Sequence, residues 1–322
     1  MEISRTIYAD ARDAYDPVYT PDVVFAHRET GDLKLQLLTP IGPDIPRPQN
    51  HAIFAKIEKE RAERHEEHPR PPKDMRKFPL VLDIPGSGWS GAEGYAHVPR
   101  MMELAKQGFA VACISYRGTF KDDVRFPAAV QDAKEAIRFL RAHADMYHID
   151  PEHVTVLGDS SGGHTAAFVA LTGEEEKFNI GEHLDQPSAV NACVLFYAPN
   201  DLLNLVPDRI AEGKHLRPGE GEYPFEAREI YQDDFLKNPT TMLADASPIN
   251  YISPEKKLPA FLFLQGDDDP IIPMAQGLRF CDRVRECGGR AEFIKIAGGA
   301  HGNGCWTKEA MTLVTQFLKH YN

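Results

Sequence analysis

Six short apolar runs, at residues 80–84, 109–115, 154–157, 192–197, 261–264 and 291–296, recur along this 322-residue chain with segments of helical period between them. No other feature restricts the fold as strongly. The runs are too short for typical helices and nearly continuous rather than alternating, which suits strands covered on both faces. Between them, Val130, Ala133, Ile137 and Leu140 fall three or four apart and so share one helix face. Strand alternating with helix predicts a mostly parallel, twisted sheet with right-handed crossovers and helices on both sides, an α/β fold. Upstream, Val23-Val-Phe and the period-two stretch Leu33-Lys-Leu-Gln-Leu flank a turn at residues 29–32, which predicts an antiparallel N-terminal hairpin.

A chain of this length can bury about three quarters of its unfolded surface, enough for one large domain spanning residues 1–322. Two stretches interrupt the alternation. Residues 43–77 form a charged insertion, bounded by prolines, that reads as a solvated surface helix with Ile53, Phe54 and Ile57 at helical spacing. Residues 200–246 lie between two expected core strands and read as a cap, since so long an ordered connection is usually functional. With 36 Lys+Arg against 48 Asp+Glu, the net charge of −12 disfavours nucleic acid or an anionic membrane face as partner. No apolar run approaches the roughly 18 residues that span a bilayer. Five cysteines without a CxxC pair read as reduced thiols, and the acidic N-terminal residues do not resemble an export signal; both favour the cytoplasm. Oligomeric state is not written in the sequence.

Gly158-Asp159-Ser160-Ser161-Gly162 stands directly after the run at 154–157 and directly before a helix-compatible segment at 164–171. Strand, sharp turn, helix is the setting of a nucleophile elbow, with glycines where the helix crosses close to the strand and Ser160 exposed at the carboxyl end of the sheet. Ser161 takes the backbone N–H position rather than that of the attacking oxygen. A serine hydroxyl needs an adjacent base and a group that orients the base. The acids Asp267, Asp268 and Asp269 leave the end of the run at 261–264, and His301 follows the run at 291–296 on a loop of small residues. Serine, acid, histidine is the chain order of a triad built on this kind of sheet. His164 and His215 are weaker candidates for the base, because neither follows the last core strand. After the run at 80–84, Pro85-Gly86-Ser87-Gly88-Trp89 offers backbone donors for an oxyanion, with Ser87, Gly88 and Ser161 the expected contributors. Trp89 beside this loop, with Tyr223 and Phe225 in the cap, are candidates for contacting substrate. No metal-ligand spacing occurs and no cofactor is called for.

These motifs resemble the α/β-hydrolase superfamily over roughly residues 79–320, and within it the carboxylesterases related to hormone-sensitive lipase and to bacterial acetyl esterases. Residues 158–164 are similar to that family's GDSAGGH elbow, and residues 265–273 to its HGxxDxxVP, which singles out Asp269 among the three acids. Two departures stand out. The HGGGW of the family is Pro85-Gly86-Ser87-Gly88-Trp89 here, and its YRLAPE begins Tyr116-Arg117-Gly118-Thr119.

The expectation is a serine carboxylesterase using Ser160, Asp269 and His301 through an acyl-enzyme. Its substrates would be small-molecule esters of short or medium acyl groups, acetylated sugars or aryl esters among them. The same triad could serve an arylformamidase or small peptidase, and a hydrolase scaffold could also carry a non-catalytic binding protein.

Overall fold

The computed structural model describes residues 15–40, 76–218 and 220–321. Apart from its last two residues, the charged insertion expected at 43–77 lies outside them. Eight strands form one sheet: β1 (Val18–Arg28), β2 (Gly31–Thr39), β3 (Phe78–Ile84), β4 (Ala110–Ile114), β5 (Ile149–Asp159), β6 (Ala192–Phe196), β7 (Ala260–Gly266) and β8 (Ala291–Ile296). Their order is β1-β2-β4-β3-β5-β6-β7-β8. β1 pairs with β2, and β2 with β4, antiparallel; every other pairing is parallel. The N-terminal hairpin and the mostly parallel sheet are as the sequence predicts, and this is the α/β-hydrolase fold.

Side-chain alternation along the strands builds two cores. Leu80, Leu82 and Ile84 face the same side as Ala110, Ala112, Ile114, Val154 and Val156. Helices α2 (Ala128–Ala142), α3 (Ser160–Leu171) and α7 (Met274–Glu286) cover that side. Val81, Val111, Leu157, Val194 and Leu262 face the other, under α1 (Val98–Lys106) and α8 (Lys308–Tyr321). Helix α3, behind the elbow, is buried at nearly every position, as expected of a helix apolar on all faces. β8 differs from the other runs: it is the sheet edge and is half-exposed along its length, because no further strand covers it.

Residues between β6 and β7 fold over the carboxyl ends of the strands as α4 (Leu205–Ala211), α5 (Glu226–Tyr231) and α6 (Pro239–Asp245), joined by 3-10 turns. They have a third small core in which Leu202, Leu205, Ile230, Tyr231, Phe235 and Leu243 pack around Trp89. Buried charges also tie the elements together. Asp132 on α2 takes both Arg28 of β1 and Arg117, and Lys134 donates its ammonium to the carbonyl oxygens of Thr172 and Glu175.

Candidate active site

The elbow forms because the chain must reverse from β5 into α3 with no room for side chains. A Cβ on Gly162 would lie 2.0 Å from the Ile84 carbonyl oxygen, and one on Gly158 would lie 2.4 Å from that of Gly162. Ser160 between them takes a left-handed backbone at φ +52°. That conformation holds its side chain above the strand end.

Backbone hydrogen bonds bring the acid and histidine loops together. Asp267 N–H donates to the Ile296 carbonyl (3.1 Å) and Asp268 N–H to that of Gly299 (3.0 Å). The three acids have separate places. Asp267 accepts the Gly298 N–H at 2.7 Å, and that bond holds its half-buried carboxyl below the usual range; Asp268 is exposed; Asp269 is fully buried. One oxygen of Asp269 accepts the N–H groups of Ile271 and Ile272, at 2.8 and 2.9 Å. The other accepts Gln265 Nε2 at 3.0 Å and His301 Nδ1 at 2.8 Å. With Nδ1 protonated, His301 Nε2 is the acceptor facing Ser160 Oγ at 2.9 Å. The structure thus brings Ser160, His301 and Asp269 into one chain of hydrogen bonds, with the His301 side chain 18% exposed.

His164 is placed elsewhere. It is buried in α3, accepts the Trp89 indole N–H on Nδ1 (3.2 Å) and donates Nε2–H to the Ala246 carbonyl (2.7 Å). Burial pulls it down to about 4, so it is neutral at ordinary pH and is not the base.

Around the expected oxyanion position the structure is more selective than the sequence. Ser87 N–H, anticipated as a donor, points to the Ser161 hydroxyl at 2.8 Å, and Gly86 N–H to Asp159 Oδ1 at 2.7 Å. Gly88, with φ +59°, and Ser161 at the start of α3 have amides with no hydrogen-bond acceptor among the described residues. Trp89, anticipated as a substrate contact, is only 8% exposed. Its indole is committed to His164 and its faces to the small core under the cap, so it is a structural anchor. Tyr223 and Phe225 are half-buried; Tyr223 meets the Phe235 ring edge-on, and Arg217 lies over Phe225.

Other groups near the site had no motif to announce them. Glu229 of α5 is near the oxyanion loop: its Oε1 would lie 3.4 Å from a Cβ on Gly88. Burial pushes this carboxyl up to about 7, more than Arg217 at 3.6 Å draws it down. Asp159 precedes the nucleophile and would read as a helix cap. Its carboxylate instead holds the Gly86 amide and the Tyr197 hydroxyl (2.9 Å). Tyr197 in turn accepts the Trp306 indole N–H at 2.7 Å and lies against the His301 ring, 4.7 Å between centroids. Only side-chain geometry links Asp159, Tyr197, Glu229 and Trp306, whose first and last members are 147 positions apart in sequence.

Fold and site together define an α/β-hydrolase with an assembled serine–histidine–aspartate relay. The chain belongs to the BD-FAE family, which residues 69–284 match. It is 31% identical over 231 residues to the esterase LipQ of Mycobacterium tuberculosis and 31% identical over 221 residues to LipM of the same organism, a probable carboxylic ester hydrolase. These alignments cover 70% and 67% of this chain but 50% and 47% of the relatives, so the chain spans about half their length. Among solved structures, a truncated carbohydrate esterase from gut microbiota superposes with a TM-score of 0.74 at 24% identity, covering 97% of this chain and 98% of that one. Among the described residues, no helix is long and apolar enough to cross a membrane.

Proposed function

We propose that the chain is a serine carboxylic ester hydrolase acting on small esters with short or medium acyl groups, acetylated sugars and aryl esters among them. The observation that carries this reading is the relay Ser160 Oγ, His301 and Asp269, with heavy-atom separations of 2.9 and 2.8 Å. Names of the relatives, both esterases or probable ester hydrolases, support it. So does the likeness to a carbohydrate esterase, at the level of fold.

Ser160 Oγ attacks the ester carbonyl carbon as its proton passes to His301 Nε2. Asp269 holds the imidazole in the required tautomer and offsets the imidazolium charge. The amides of Gly88 and Ser161 are the donors for the developing oxyanion. Collapse breaks the bond to the alcohol oxygen, which leaves with the proton from His301, and an acyl group remains on Ser160. Water then attacks that acyl group, giving its proton to His301, and Ser160 is released with the acid. Glu229 of the cap, near the oxyanion loop, suits a hydroxylated substrate better than a long alkyl chain.

Activity on a panel of nitrophenyl esters from acetate to laurate, beside acetylated sugars, tests both parts of this reading. Ser160→Ala is expected to lower kcat by at least about 10³-fold without loss of fold. Turnover that survives this substitution would overturn the mechanism. A preference for laurate would overturn the substrate class.

A further inference from the structure

Next to the oxyanion loop, two carboxylates face each other across a single histidine. Asp83 is fully buried on β3, one residue before the strand ends. Its oxygens are 3.2 and 3.0 Å from His97 Nδ1. The other ring nitrogen, Nε2, is 3.8 Å from Asp159 Oδ1, the oxygen that accepts the Gly86 amide. His97 ends the 3-10 turn Gly94–His97, just ahead of α1, and its side chain is 12% exposed.

We propose that His97 is a positioning residue for the proposed hydrolysis: held between Asp83 and Asp159, its imidazolium keeps the Asp159 carboxylate on the Gly86 amide and so fixes the backbone of residues 86–88 against Ser160. The inference rests on the ester hydrolase reading above. The physical case begins with the two acids. With Asp83 fully buried and the Asp159 side chain only 13% exposed, two carboxylates on either side of one ring repel one another, and one would take up a proton unless a cation lies between them. A protonated Asp159 would be a poorer acceptor for Gly86 N–H, since charge-assisted hydrogen bonds are about twice as strong as neutral ones. The loop that loses its grip is the one whose Gly88 amide faces the oxyanion. The cation reaches the loop from the turn Gly94–His97 that leads into α1.

The charged groups around the ring agree with this role. Burial draws His97 down and Arg100 of α1 opposes a second cation, yet Asp83 and Asp159 outweigh both and hold it above the ordinary imidazole range. Behind Asp83 lies Cys113 of β4, whose thiol burial keeps neutral; behind Asp159 lies the Tyr197 hydroxyl, also held neutral by burial. Arg100 stacks on the Trp306 ring, 3.9 Å from its centroid, which places its charge beside the ring that donates to Tyr197. The sign follows. A histidine raised in the folded state contributes its bridge fully below the ordinary value and loses it as pH rises through the folded value.

Full-length wild type, His97→Gln and Asp159→Asn are compared for 4-nitrophenyl acetate hydrolysis from mildly acidic to alkaline pH. His97→Gln is expected to lose about tenfold in kcat with KM changed by less than about twofold. The fall in wild-type kcat on the alkaline side, where His97 gives up its proton, is expected to vanish in the variant. A His97→Gln enzyme with wild-type kcat and the same alkaline fall overturns the proposal; a variant that is merely less stable would melt lower without changing the profile's shape. Should His97→Gln fail to fold, Asp159→Asn carries the same test with the same split between kcat and KM. NMR titration of the histidine rings provides a readout that needs no turnover. His97 is expected to titrate above 6.5 in wild type and lower in Asp159→Asn, and a wild-type value at or below 6.5 overturns the bridge. If wild type hydrolyses no ester at all, the activity reading fails and the NMR arm still decides the charge bridge.

Discussion

The loops at the strand exits and the cap that leans over them are neighbours held by opposite means. Around Ser160 much of the cohesion is close backbone contact that depends on missing side chains: a Cβ on Gly266 would lie 2.0 Å from the Gly299 carbonyl oxygen. In the cap it comes from long charged side chains. Arg209 is fully buried and pairs with Glu220 and Glu226, while its Nε donates to the Ile271 carbonyl at 2.8 Å, two residues past Asp269. Arg279 of α7 pairs with Asp201 and Asp208, and Glu212 accepts the first two amides of α7. Backbone contacts fix atoms to a few tenths of an ångström, which a proton relay needs. Ion pairs can be exchanged for other pairs of the same shape, which suits a surface that selects among substrates. Changes in the loops should therefore act on rate, and changes in the cap on stability.

The largest separation between the two regions is expected from Asp269→Asn. It preserves shape but loses the carboxylate that orients His301, and kcat should fall by about 10⁴-fold with the unfolding midpoint little moved. Steady-state kinetics alongside a thermal melt would check this; a large fall in the midpoint would erase the distinction drawn here. The reverse pattern is expected of Arg209→Ala. Removing the cation leaves Glu220 with only the backbone amides of Arg217 and Phe225, and Glu226 with only the half-exposed Arg217, and should cost about 3–5 kcal/mol in a urea titration. The fraction that remains folded should still hydrolyse an activated acetate at a rate near wild type.

His164 sits where the regions meet, accepting from Trp89 and donating to the cap at Ala246. Buried neutral and lowered from 6.5 to about 4, it binds fewer protons folded than unfolded. Stability should thus be complete above pH 6.5 and decline as pH falls toward 4, by up to about 3 kcal/mol. His164→Gln should flatten that slope, as read from urea midpoints across the range; an unchanged slope would place the acid sensitivity elsewhere.

The same contrast explains what could be read from the chain beforehand. Gly158 to Gly162, His301 and the acids before Pro270 were legible because close backbone approach dictates residue types at fixed offsets, and the resemblance then separated Asp269 from its neighbours. Strand β5 begins five residues earlier than its apolar run suggests, at Ile149, since Pro151, Glu152 and His153 carry no strand pattern. Trp89 reads as a substrate contact because nothing local reveals that an indole will meet His164 seventy-five positions away. The Ser87 amide reads as an oxyanion donor for a similar reason: its acceptor is the hydroxyl of Ser161 at the start of α3, seventy-four positions away. Asp159, His97 and Glu229 have no periodicity at all, and their roles depend on which charges end up facing which.

Ser160 stands in a left-handed backbone that a residue with a Cβ adopts only under strain. The position that the proposed mechanism needs most is therefore one the fold would rather give to glycine. Ser160→Gly should unfold at a higher urea concentration than wild type, gaining about 1 kcal/mol while losing all turnover. Natural drift toward a sturdier molecule at this residue would run directly against catalysis, so the reactive hydroxyl persists only where its work is selected for.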